Sequence, residues 1–231
     1  TNLEAATTIQ VILTDENGNT YKDQLTECKV GEIAATLQAK YPFITLGDNV
    51  SLVYDGRVYT YANTLRLPFR VSNSETTVWH NIYFLSNKIN QVNYPVYLSA
   101  SNSDDELVAT CKDNVAGEYG DNSFNTLEYA DEISWAIYQS GNGFAFKFKN
   151  KLTGKFVQTT SVATGSNKNV KYVNDADATV FELIPTSNNF YAVKANVGGT
   201  DGYLCCTSAG YGFATHFNHY NHAGGTLTFA E

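Results

Sequence analysis

The sequence predicts a mostly β chain, in which three four-stranded repeats form the C-terminal part and a small α+β domain precedes them. Three observations carry this. The chain has 16 Tyr and 13 Phe, and with its abundant Thr and Asn they favour strands joined by turns over helices. Apolar and polar residues alternate through most of the chain, the period of a half-buried strand. Short apolar strands also recur at one fixed spacing through the last two thirds of it.

The first element is "TIQVILTDENGNTYKDQLTE", residues 8 to 27, two alternating runs around Asn17-Gly18. That dipeptide is a strong hairpin signal. The period then changes. In "KVGEIAATLQAKYPF", Ile33, Leu37 and Tyr41 fall at helical spacing, and Pro42 must stop the helix. Two further strand candidates, "VSLVYDG" and "VYTYANTLRLPFRVS", complete the order strand, strand, helix, strand, strand. This order resembles a β-grasp, the ubiquitin-like topology; an immunoglobulin-like sandwich is the alternative, and the helix counts against it. The polar stretch "SNSETT", 72 to 77, marks the boundary, giving domains 1–76 and 77–231.

In the second domain, "ISWAIYQ", "TVFELIP" and "GTLTFAE" each end a unit, and Trp135, Phe181 and Leu227 follow one another at intervals of 46 residues. Asn150 and Asn196 keep the same interval, with Asn87 as the first-unit counterpart, and the second strands place Tyr97, Phe156 and Tyr203 alike. The repeats are about 81–139, 143–185 and 189–231, the first lengthened by the insertion "NVAGEYGDNSFNTLEYADE". No unit could bury its apolar face alone. Three can close a small barrel capped by hairpins, which removes exposed sheet edges.

The pattern "FKFKNKLTGKFVQ … FELIP … FYAVKAN … GYLCC … GGTLTF" resembles the β-trefoil, and within it the ricin-type, lectin-like trefoils of secreted Bacteroidetes carbohydrate-active proteins. The resemblance implies sugar recognition, but the family's Gln-x-Trp near the end of each repeat is not kept. The matching positions read Ile133-Ser134-Trp135, Thr179-Val180-Phe181 and Gly225-Thr226-Leu227. The family's sugar-binding residues therefore do not carry over.

A net charge of -8 and no Lys/Arg run argue against nucleic acid, and no apolar stretch approaches a membrane span. The start "TNLEAATTIQ" has no signal-peptide pattern, and the absence of Met suits a mature or excised fragment. Cys28, Cys111, Cys205 and Cys206 have no zinc-site spacing and are read as thiols; in a strand Cys205 and Cys206 face opposite ways. No motif for a nucleophile, a phosphate loop or a catalytic metal is present, and no cofactor is called for.

The most unusual stretch is "YGFATHFNHYNHAGG", 211 to 225. Tyr211, His216, Asn218, His219, Tyr220 and Asn221 form the candidate ligand site: a ring can cover the apolar face of a pyranose while Asn and His bond its hydroxyls. A metal reading is weaker, because His216 and His219 would face opposite sides of a strand and no carboxylate lies near. Tyr119, Phe124 and Tyr129 in the insertion are the secondary candidate, or else a small core pinning that loop. The expected function is a non-catalytic carbohydrate-binding module of a secreted or surface-attached bacterial protein, located outside the cell or on its surface. Its partners would be a glycan or glycoconjugate and other domains of a longer parent. A protein-interaction, adhesion or protease-inhibitor domain is the alternative.

Overall fold

The computed structural model describes residues 8–26, 28, 32–47, 51–54, 57–60, 65–86, 94–100, 107–111, 131–141, 143–162, 169–187, 190–209, 212–218 and 226–230. The first hairpin is β1 (Thr8–Thr14) and β2 (Thr20–Thr26), antiparallel with Thr14 opposite Thr20. Asp15 sets its turn. One carboxylate oxygen accepts the backbone N–H of Asn17 and of Asn19, both at 2.9 Å, and the other accepts the Tyr21 hydroxyl at 3.1 Å. Gly18 supplies the positive φ of 82° that the turn requires. Alternation then puts Ile9, Val11, Leu13, Tyr21 and Leu25 inward.

Helix α1 (Ile33–Lys40) buries Ile33 and Leu37, and its end is capped by the N–H of Tyr41 bonding the carbonyl of Leu37. Tyr41 thus lies just past the helix. Two-residue β3 (Thr45–Leu46), β4 (Ser51–Tyr54) and β5 (Arg57–Thr60) follow, giving an antiparallel sheet in the order β2-β1-β4-β5. The long strand expected through residues 58 to 72 is divided: β6 (Leu65–Arg66) pairs with β3 and makes one parallel bridge, Leu65 to Asp15, apart from β5, and Pro68, which has no N–H for a ladder, helps turn the chain away.

A second sheet has twelve strands: β7 (His80–Ser86), β8 (Tyr94–Ala100), β9 (Leu107–Cys111), β10 (Ser134–Gln139), β11 (Ala145–Asn150), β12 (Phe156–Thr159), β13 (Val170–Val173), β14 (Phe181–Ser187), β15 (Phe190–Val197), β16 (Thr200–Ala209), β17 (Gly212–Asn218) and β18 (Thr226–Ala230). The sheet curls until β7, β10, β11, β14, β15 and β18 pair in a closed ring. Each of β7, β11 and β15 also carries a hairpin, β8–β9, β12–β13 or β16–β17.

The register repeats around the ring. Trp135 lies opposite His80 and Asn150, Phe181 opposite Phe146, and Leu227 opposite Tyr191 and Phe84. The pair Glu182↔Lys194 sets Ala195 on the remaining side of Phe181. Equal spacing of Trp135, Phe181 and Leu227 therefore reflects equal places in the ring. Tyr97, Phe156 and Tyr203 also match, facing Tyr83, Lys149 and Lys194.

Asn150 and Asn196 do not match. Asn150 is buried and shares its place with Ala195, whereas Asn196 is one residue further on and exposed. A one-residue slip changes the face of a strand, so the shared interval misled. Asn150 instead holds a turn: its Nδ2 donates to the Glu132 carbonyl at 2.7 Å, and its Oδ1 accepts the N–H groups of Leu152 at 3.0 Å and Thr153 at 3.1 Å. Asn87 lies outside the described residues.

The two sheets share one continuous core. Two phenylalanines join them. Phe69 sits over the end of the ring away from the hairpins, its ring 5.4 Å from Phe146, 5.9 Å from Tyr191 and 5.2 Å from Phe229. It closes the mouth. Phe144, in the turn between β10 and β11, projects the other way, stacked on Tyr21 at 5.2 Å and packed by Tyr41 at 4.3 Å and Phe43 at 5.4 Å. Around these, Ser72 N–H bonds the Ile137 carbonyl at 2.7 Å, and His80 Nε2 donates to the Arg70 carbonyl at 2.7 Å.

Candidate functional site

Tyr211, His219, Tyr220 and Asn221 lie outside the described residues, as do Tyr119, Phe124 and Tyr129. His216 and Asn218 are in β17, opposite Cys205 and Tyr203, and only their backbones are described. Phe217, between them, is a core residue: its ring lies 6.3 Å from that of Phe181 and covers Gly202. Asn169 fixes that segment, accepting the Phe217 N–H at 2.8 Å and donating to its carbonyl at 2.9 Å. Cys205 is buried and its thiol is pushed up to about 12 by desolvation, so it stays protonated and inert.

Among the described residues, the arrangement best suited to a ligand lies just before β7, around Trp79. His80 points inward at the start of β7, so alternation turns Trp79 outward, where 36% of it is exposed. The turn before β10 brings Asp131 and the turn after β11 brings Lys151 and Leu152. Backbone bonds stitch these turns together: Lys151 N–H to the Ser134 carbonyl at 2.9 Å, and Leu152 N–H to the Asp131 carbonyl at 3.2 Å. Asn150 ties both to Glu132, as described above. The platform therefore rests on rigid strand ends.

Its chemistry follows from four side chains. Lys151 Nζ lies 2.9 Å from Asp131 Oδ1 and 5.7 Å from the centre of the Trp79 ring, and Leu152 is 42% exposed. An indole beside an exposed ion pair offers an apolar surface, a carboxylate acceptor and an ammonium donor within one small area. Exposed pairs contribute only about 0–1 kcal/mol, so Asp131 and Lys151 can exchange their bond for bonds to a ligand's hydroxyls at little cost. Glu132, next in sequence, is half-buried; burial raises its carboxyl above the usual range, partly offset by the Ser99 hydroxyl donating at 2.6 Å.

The ring supplies this platform once. By the ring register, the place of Trp79 is taken by Ala145 at the start of β11 and Phe190 at the start of β15. A second polar group, on β15 and β16, is already internally satisfied: Asp201 accepts Asn196 Nδ2 at 2.9 Å and Lys194 Nζ at 3.4 Å, which hold its carboxyl below the usual range. Sequence reasoning missed Trp79 because it lies at the start of the predicted second domain, 77–231, but ahead of the first repeat, which begins near residue 81. The signal was a lone Trp flanked by the polar boundary stretch.

No family model matches the chain, and no curated protein matches it in sequence. Among solved structures it is similar to a designed 3-fold symmetric protein, ThreeFoil, with 15% identity and a TM-score of 0.41 over 65% of this chain and 99% of that one. It is also similar to the cytolethal distending toxin of Haemophilus ducreyi, with 15% identity and a TM-score of 0.45 over 71% of this chain and 89% of that one. The ring and its register stand independently of both.

Proposed function

We propose that the chain is a non-catalytic carbohydrate-binding module of a secreted or surface-attached bacterial protein, in which residues 77–231 form a three-repeat, lectin-like β-trefoil. The closed ring with one hairpin per repeat supports the trefoil reading. The N-terminal domain is β-grasp-like in its order of elements, although its four-stranded sheet is antiparallel throughout. One observation carries the function: an exposed indole at a rigid strand end, flanked by a carboxylate and an ammonium. Such a platform stacks on the apolar face of a sugar ring and bonds the hydroxyls at its edge. Residues 211 to 221 are a second candidate contact, centred on Tyr220. Affinity at one such shallow site is weak, and tandem display in a longer parent would raise it.

A glycan array followed by titration of the best binder tests this. Trp79→Ala should abolish binding at the indole platform with the melting temperature unchanged, and Tyr220→Ala reports separately on the second contact. An array on which the protein retains no glycan sinks the proposal, and protein capture instead would favour the interaction-domain alternative.

A further inference from the structure

The first hairpin turns one face away from the core. Opposite the core, cross-strand partners pair Gln10 with Gln24, Ile12 with Lys22 and Thr14 with Thr20. All are exposed except the half-buried Ile12. A depression of about 490 Å³ is lined by Gln10, Val11, Ile12, Lys22, Asp23 and Gln24, within the range of about 300–1,000 Å³ usual for small-molecule sites. Its charge is unusual for this chain. The net charge is -8, yet Lys22 stands on this wall, and the one acidic residue of the described lining, Asp23, has its carboxylate already bonded. That carboxylate is turned to the opposite face, where Lys40 Nζ at 2.9 Å and the Tyr41 hydroxyl at 2.7 Å hold it. Two neutral amides and a low apolar floor flank Lys22.

We propose that this depression binds an acidic sugar unit within an oligosaccharide. The sugar carboxylate bonds Lys22 Nζ, the Gln10 and Gln24 amides bond ring hydroxyls, and Ile12 meets the apolar ring face. Charge complementarity selects an acidic over a neutral sugar, since Lys22 is exposed on this wall while the Asp23 carboxylate of the lining is already held by Lys40 and Tyr41. The face is separate from the Trp79 platform and does not depend on it.

The probe is tetragalacturonate, titrated into the full chain and followed by backbone amide shifts, with its fully methyl-esterified form as the neutral control. The expected result is shifts confined to β1 and β2, with Lys22→Gln and the methyl ester each weakening binding roughly tenfold or more, the loss of one charge-assisted hydrogen bond. Added salt should weaken the acid form. Trp79→Ala should leave the titration unchanged. Shifts absent from β1 and β2, equal binding by the ester or by a normally folded Lys22→Gln, or loss of binding in Trp79→Ala would each overturn the proposal.

Discussion

Replacing Phe69 by alanine removes the side chain that closes the mouth of the ring. The ring of Phe69 is 4% exposed and packs on three aromatic neighbours, Phe146, Tyr191 and Phe229. Nothing else in the segment is placed to fill the space, because Pro68 and Arg70 on either side are exposed. The loss should therefore approach the full cost of a buried Phe→Ala change, about 3–5 kcal/mol. For a domain of this size each kcal/mol lowers the melting temperature by about 2–4 °C, so the expected drop is roughly 6–20 °C. Because the two sheets share one core, unfolding should remain a single transition when followed by both far-ultraviolet and near-ultraviolet circular dichroism. Leu152→Ala, on the surface, serves as control and should stay within about 0.5 kcal/mol. A loss below about 1 kcal/mol, or separate transitions for the two sheets, would refute the plug.

Gly202→Ala should be costly despite its small size. The new Cβ would overlap Phe217 Cε1 and lie 2.7 Å from Cζ, and Phe217 is fixed in the core, so overpacking of about 1–3 kcal/mol is expected in urea unfolding; Phe217→Leu in the same chain should recover part of it. Glu132→Gln should stabilise the protein at neutral pH. The folded carboxyl titrates above the usual value of 4.5, so its protonated form is favoured by folding, and that contribution is full below about 4.5 and lost as pH rises through the folded value. Melting curves should thus separate the variants at pH 7 and converge at pH 3. Tyr21, Tyr41 and Tyr191 are all raised above the ordinary 10.0, each first by burial. The unfolded chain ionises them first, so stability should fall as pH rises past about 10. A denaturation midpoint unchanged between pH 9 and 11 would contradict their burial.

The hairpin at Asn17-Gly18, the helix and the equal places of Trp135, Phe181 and Leu227 were legible because each rests on a local rule: turn chemistry, apolar period, repeat spacing. The slip at Asn196 was not, since an interval of 46 is blind to which face a residue occupies, and β15 reaches the same ring position one residue sooner than β11. Phe69 and Phe144 looked like ordinary alternation residues. What makes them joints is contact across more than 70 positions of sequence, with Phe146 and Tyr191 for one and Tyr21 for the other, which no periodicity encodes. The Trp79 platform was hidden in the same way: its parts come from three turns, and the interval between Trp79 and Asp131 spans the whole insertion.

Phe144 has one further consequence. Caged by Tyr21, Tyr41 and Phe43, it denies the hairpin any swivel relative to the ring. The hairpin face that carries Lys22 and the ring end that carries Trp79 are therefore two separate footholds cut into a single block. Loosening that knuckle would leave each foothold intact and let the block come apart between them.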